Sequence, residues 1–106
     1  MEFALEWPGG RIILDNRRVA IGRLLNNQIT PSDTQISGTH AEIIPTACGI
    51  LLIDLGSRNG TFVNGHRLIP DLPYTLKSGD RILIGRIEFR FWVRVTPPPQ
   101  QPPYRR

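Results

Sequence analysis

The stretch Ile87–Val95, IEFRFWVRV, alternates apolar and polar residues almost without a break. Successive side chains of a strand point to opposite faces, so Ile87, Phe89, Phe91, Val93 and Val95 share one face. Glu88, Arg90, Trp92 and Arg94 share the other. Working outward, the same period of two recurs in Phe3-Leu5-Trp7, and in RIILD and RRVAIG beyond turn-like PGG and DN breaks. It recurs again in THAEII, ILLIDL, TFV, HRLI, YTLK and RILIG, and helical periodicity appears nowhere. Short strands separated by Gly, Pro, Asn and Asp predict an all-β domain. The expected architecture is a two-sheet β-sandwich of about ten or eleven short, mostly antiparallel strands. Its longest irregular stretch runs from about Leu24 to Gly38, LLNNQITPSDTQISG. A loop of that length in a compact domain is usually functional or disordered.

The 106 residues suffice for one domain with a single core. Residues 1–96 form the expected sandwich. The chain closes with TPPPQQPPYRR, so 97–106 is expected to be a proline-rich flexible tail or linker. No apolar run approaches the roughly 20 residues of a membrane helix, so no membrane insertion is expected. The start, MEFALEWPGGR, has acids and no basic-then-apolar pattern, unlike a signal peptide. Cys48 stands alone. It is expected to be a small core residue, in a protein of a reducing cytoplasmic setting.

Thirteen basic residues against nine acidic ones give a net charge of +4. With Arg105 and Arg106 set aside, eleven against nine leave +2 for residues 1–104. Twelve of the basic residues are arginine, and Lys77 is the one lysine. Binding of nucleic acid through general electrostatics needs a denser basic cluster. The arginine pair Arg90 and Arg94 therefore reads as a solvated sheet face. Arginine's planar fork does, however, suit oxyanions of defined geometry.

Two familiar chemistries fail on the residues. Ser37, His40 and Asp54 or Asp80 superficially suggest a hydrolase triad, but no Gly-x-Ser-x-Gly elbow is present. No enzyme activity is expected. His40, His66 and Cys48 have no ligand spacing, so neither a metal nor another cofactor is expected.

The stretch Asp54–Gly65, DLGSRNGTFVNG, carries two Asn-Gly pairs. Asn64-Gly65, between TFV and HRLI, is a hairpin signal, since both residues tolerate positive φ. Asn59-Gly60 follows an arginine and precedes a strand, so it needs another purpose. Loops at one end of a sandwich converge. Three of them here bring Gly22-Arg23, Ser37 with His40, and Arg58-Asn59. Two guanidinium groups, a hydroxyl, an amide and glycine N–H groups together suit a phosphate dianion.

The ordered blocks Gly22-Arg23, Ser37 to His40, Asp54 to Gly65 and Gly79 to Gly85 resemble the forkhead-associated (FHA) domain over most of residues 19–91. The resemblance implies a small β-sandwich that binds phosphothreonine in partner proteins through its loops, as a signalling adaptor downstream of a Ser/Thr kinase. It implies that Arg23, Ser37 and Arg58 hold the phosphate and that Asn59 clamps the peptide backbone. His40 would tie the loops together, with Gly22, Gly60 and Thr61 shaping the turns. Gly85-Arg86 matches the family's strand-ending glycine and not its phosphate arginine. One departure is Gly38, where the family often carries arginine, serine, asparagine or lysine. The rival expectation is a phosphorylation-independent protein interface on the same scaffold. The compartment expected is the cytoplasm, or the nucleus if the source is eukaryotic.

Overall fold

A computed structural model describes residues 1–95, and the expected tail, 97–106, lies outside the described residues. Among the described residues ten strands are present: β1 (Glu2–Trp7), β2 (Gly10–Leu14), β3 (Val19–Ile21), β4 (Ala41–Thr46) and β5 (Gly49–Asp54), then β6 (Thr61–Val63), β7 (His66–Arg67), β8 (Tyr74–Thr75), β9 (Arg81–Ile84) and β10 (Ile87–Arg94). There is no helix among the described residues, and none is long and apolar enough to cross a membrane. One sheet has the order β2-β1-β10-β9-β6-β7 and the other β3-β4-β5-β8, with antiparallel neighbours throughout. The expected two-sheet sandwich is therefore the observed one.

Alternation decides which side chains meet between the sheets. Leu5, Ile82, Ile84, Phe89 and Phe91 from the larger sheet face Ile21, Ala41, Ile43, Ile50 and Leu52 from the smaller, all buried. Phe3 stacks on Phe91 at 6.2 Å between ring centres, and Trp7 tilts against Phe89 at 5.4 Å. Aromatic residues of this kind dominate core energetics, and truncating one to alanine typically costs ~3–5 kcal/mol. Val95 departs from the predicted face. It lies one residue beyond the last β1–β10 pair, Glu2 with Arg94, and is exposed.

Cys48 corrects an expectation, because it is exposed and not a core residue. Thr46 pairs with Gly49, so Ala47 and Cys48 form the two-residue tip of the β4–β5 hairpin. A tip projects past the core whatever its side chains prefer. The Asn64-Gly65 turn is as read: φ is 52° at Asn64 and 86° at Gly65, the left-handed pair that a two-residue hairpin demands.

The long irregular stretch extends from the end of β3 to the start of β4. Ile29 and Ile36 plug it into the core, and Ile29 forms a parallel bridge to Ile21. Those two apolar anchors fix the loop against the core.

Candidate functional site

Segment Thr34–Ser37 is where the predicted residues converge. Arg23 donates its backbone N–H to Ser37 O at 3.0 Å and its Nε–H to Ile36 O at 3.0 Å. Arg58 donates its backbone N–H to Ser37 Oγ at 3.0 Å and an Nη2 hydrogen to Thr34 O at 3.2 Å. Asn59 donates from Nδ2 to Gln35 O at 2.8 Å. Arg23, from the start of the same β3–β4 connection, and Arg58 and Asn59, from the β5–β6 loop, are thus bonded to four consecutive residues. Arg23 and Arg58 are exposed, while Ser37 and Asn59 are half-buried.

The donors that remain face outward. Among the described residues, the Nη groups of Arg23 have no hydrogen-bond or ion-pair partner, because only Nε is used to fix the guanidinium plane. Ser37 Oγ accepts from Arg58, which leaves its own proton free to donate. The Asn59 amide is used inside the protein in this state, at Gln35 O, and its Oδ1 is left as an acceptor.

His40 lies beneath this surface and is fully buried. Its Nδ1 accepts the Ser37 N–H at 3.1 Å, and its Nε2 lies 2.8 Å from Gly60 O. A backbone N–H only donates and a carbonyl only accepts, so these partners assign the ring proton to Nε2. His40 N–H also donates to Ile21 O at 2.9 Å, and Leu55 N–H donates to His40 O at 3.0 Å. One residue joins β3, the 34–37 segment and both ends of the β5–β6 loop. The sequence-suggested triad is not assembled. Ser37 meets His40 through its backbone, and Asp54 bonds to Ser57 and Thr61.

The β5–β6 loop is built around Asp54, which is buried. Its carboxylate accepts from the Ser57 hydroxyl, the Ser57 N–H at 3.1 Å and the Thr61 hydroxyl at 2.7 Å. Burial alone would raise the Asp54 carboxyl, but the Ser57 and Thr61 hydrogen bonds outweigh it and hold the group below the usual carboxylate range. Ser57 Oγ then accepts the Gly60 N–H at 3.0 Å. Gly60 has φ of 89°, so this turn presents Arg58 and Asn59 outward while Thr61 enters β6 and the core.

Gly22 is needed for a different reason. A Cβ there would lie 2.3 Å from Gly38 O and 2.7 Å from Asn27 Nδ2. Only glycine lets the end of β3 approach the 34–38 segment closely enough for the Arg23 and Leu24 backbone bonds to Ser37 and Gly38.

Three supporting residues escaped the sequence reading. Asn27 is buried and donates from Nδ2 to Leu24 O and Gly38 O, both at 2.8 Å. Asp33 is buried and accepts from Gln35 N–H at 2.9 Å, Arg86 N–H at 2.8 Å and Arg86 Nη2 at 3.1 Å. Those N–H donors from Gln35 and Arg86 hold the Asp33 carboxyl below its usual range against its burial, and the Arg86 guanidinium adds to the effect. Ser57 links Asp54 to Gly60. A buried amide in a polar loop and an Asx turn before Gln35 were the available signals. The Asp33–Arg86 pair spans 53 positions and left no local trace. His66 and Cys48 lie apart from the site, in β7 and at the β4–β5 tip.

The FHA domain family model matches residues 19–85. The chain is 35% identical over 83 residues to an oxoglutarate dehydrogenase inhibitor of Corynebacterium jeikeium, covering 78% of this chain and 56% of that protein. It is 41% identical over 73 residues to an ABC transporter ATP-binding/permease protein of Mycobacterium tuberculosis, covering 69% of this chain and 8% of the transporter. The chain thus spans about half the length of the inhibitor and a small part of the transporter. Among solved structures, an FHA domain studied for phosphothreonine-dependent interactions superposes with a TM-score of 0.82 at 29% identity, covering 91% of this chain and 100% of that one. The FHA domain of the CT664 protein from Chlamydia trachomatis superposes with a TM-score of 0.81 at 27% identity, covering 90% and 100%. The fold, the order of the loop motifs and the family match agree, and the chain belongs to the FHA domain family.

Proposed function

We propose that this chain is a binding module, not a catalyst, that recognises phosphothreonine in a partner protein. The carrying observation is that Arg23, Arg58 and Asn59 are all bonded to segment 34–37, with the Arg23 Nη groups unengaged. Solved FHA relatives support the reading, since one was studied for phosphothreonine-dependent interactions and another was solved with a phosphothreonine peptide. In this reading Arg23 meets two phosphate oxygens with its fork, and the Ser37 hydroxyl and Arg58 supply further donors. Asn59 exchanges its bond to Gln35 O for the peptide backbone or uses its Oδ1. His40, Gly22, Gly60 and Thr61 hold these groups in place. Binding stands in place of catalysis because both His40 ring nitrogens are committed to backbone groups.

In this reading the binding domain is residues 1–96, and 97–106 is a proline-rich tail or linker. A Ser/Thr kinase acts upstream, in the cytoplasm or the nucleus. The test is a degenerate phosphothreonine peptide library measured against its dephosphorylated twin. Phosphate-dependent capture, lost in Arg23→Ala, is expected. Equal capture of both libraries overturns the proposal.

A further inference from the structure

On the outer face of the six-stranded sheet, Arg81 of β9 lies directly opposite Arg90 of β10. Facing side chains on adjacent antiparallel strands have Cβ atoms about 4.5–5.5 Å apart, and like charges so placed are destabilising. Neither guanidinium has an ion-pair partner among the described residues. Arg90 Nε is buried and has no acceptor, while its guanidinium lies 5.1 Å from the Trp92 ring centre. The obvious counter-charge, Glu6, is opposite Arg90 on β1 but is used elsewhere. It pairs with Arg11 Nε at 3.2 Å and accepts from Trp92 Nε1 at 2.9 Å. Glu88 sits opposite Leu83, one step along the face, and makes no ion pair. Beside the arginine pair, Leu83 and Trp92 are 40% and 39% exposed.

We propose that the face centred on Arg81 and Arg90 is a second binding surface, for an unphosphorylated acidic segment of a protein partner. Two juxtaposed forks can each take a carboxylate on their exposed Nη edges. Leu83 and Trp92 offer an apolar contact between the charges. A nucleic-acid backbone fits less well, because a continuous run of phosphates needs a denser basic cluster than two adjacent arginines. A second copy of the chain would bring the same unpaired arginines against these. Arg81 starts β9 and Arg90 is the fourth residue of β10, and theirs is the β9–β10 pair furthest from the Gly85-Arg86 turn that meets Asp33, so the surface is separate from the phosphate loops.

The probe is a fluorescent, unphosphorylated peptide of alternating Glu and Asp with one central leucine, followed by anisotropy. The protein is the whole chain, as wild type, Arg81→Glu, Arg90→Ala and Arg23→Ala. Wild type should bind at low salt and weaken as salt is raised. Arg81→Glu, at an exposed position, should weaken binding about tenfold or more at a melting temperature no lower than that of wild type. Arg90→Ala should weaken it as well, and Arg23→Ala should bind like wild type. The Trp92 indole N–H resonance should shift on titration. Absence of wild-type binding at low salt overturns the proposal, as does equal binding by Arg81→Glu or loss confined to Arg23→Ala. Tighter, Arg81-dependent binding of an oligonucleotide of matched charge overturns it too, and so does Arg81-dependent self-association.

Discussion

His40 Nε2 and the Gly60 carbonyl oxygen lie 2.8 Å apart, joining two loops whose residues are twenty positions apart in sequence. The other ring nitrogen takes the Ser37 N–H. The two binding loops are therefore held at a fixed separation by a single imidazole ring. His40→Ala should leave two backbone groups without partners. Each unpaired buried group typically costs ~1–3 kcal/mol. A clear fall in melting temperature, with weaker phosphopeptide binding, is expected by calorimetry and titration. Weak binding with wild-type melting would instead place His40 in direct contact with the ligand.

Arg23→Ala should weaken phosphothreonine-peptide binding about tenfold to more than a hundredfold, since hydrogen bonds to charged groups are worth roughly 1.5–3 kcal/mol. Folding should be nearly unaffected, because the side chain is exposed and its one internal bond is to Ile36 O. Arg23→Lys should restore little, as a point charge lacks the fork. Arg90→Ala should change phosphopeptide affinity only slightly. Isothermal titration of the three variants against one peptide checks the order.

Gly38→Ser should tighten phosphopeptide binding, by adding a hydroxyl donor beside Ser37. A Cβ at Gly38 would come within 3.1 Å of the Leu24 side chain, which is exposed and free to turn away. Gly22→Ala should do the reverse, since its Cβ would meet backbone oxygen at 2.3 Å. Paired melting and titration curves separate the two glycines: one tolerates a side chain and the other does not.

Acid should unfold the site first. The Asp54 and Asp33 carboxyls both lie below their usual range in the folded chain. The unfolded state therefore takes up their protons at a higher pH. Their contribution is complete above roughly pH 4–5 and is lost progressively as pH falls through the lowered folded values. Asp54→Asn should reduce stability at pH 7 and flatten the acid limb of the stability profile. A limb of unchanged steepness in Asp54→Asn would assign the acid sensitivity elsewhere.

The sandwich was legible because it is written with period two. Residues 87–93 of β10 declare their faces outright, and Asn64-Gly65 declares its turn. Arg23, Ser37, Arg58 and Asn59 were legible as a set only through their loop motifs. Their common anchor, segment 34–37, is a tertiary fact that no spacing encodes. Asp33 with Arg86 is likewise a pairing set by where β9 turns into β10. Cys48 was misplaced because apolar character was weighed over position, and a two-residue hairpin tip has no inside.

The same cysteine has a practical use. β4 starts next to His40 and runs six residues to Thr46, which at about 3.3 Å per residue puts the Cys48 tip roughly 20 Å from the phosphate loops. Cys48 is the chain's sole cysteine and its thiol is exposed. A maleimide dye or a sensor chip attached there would bind every molecule in one orientation, with the recognition loops turned toward solution.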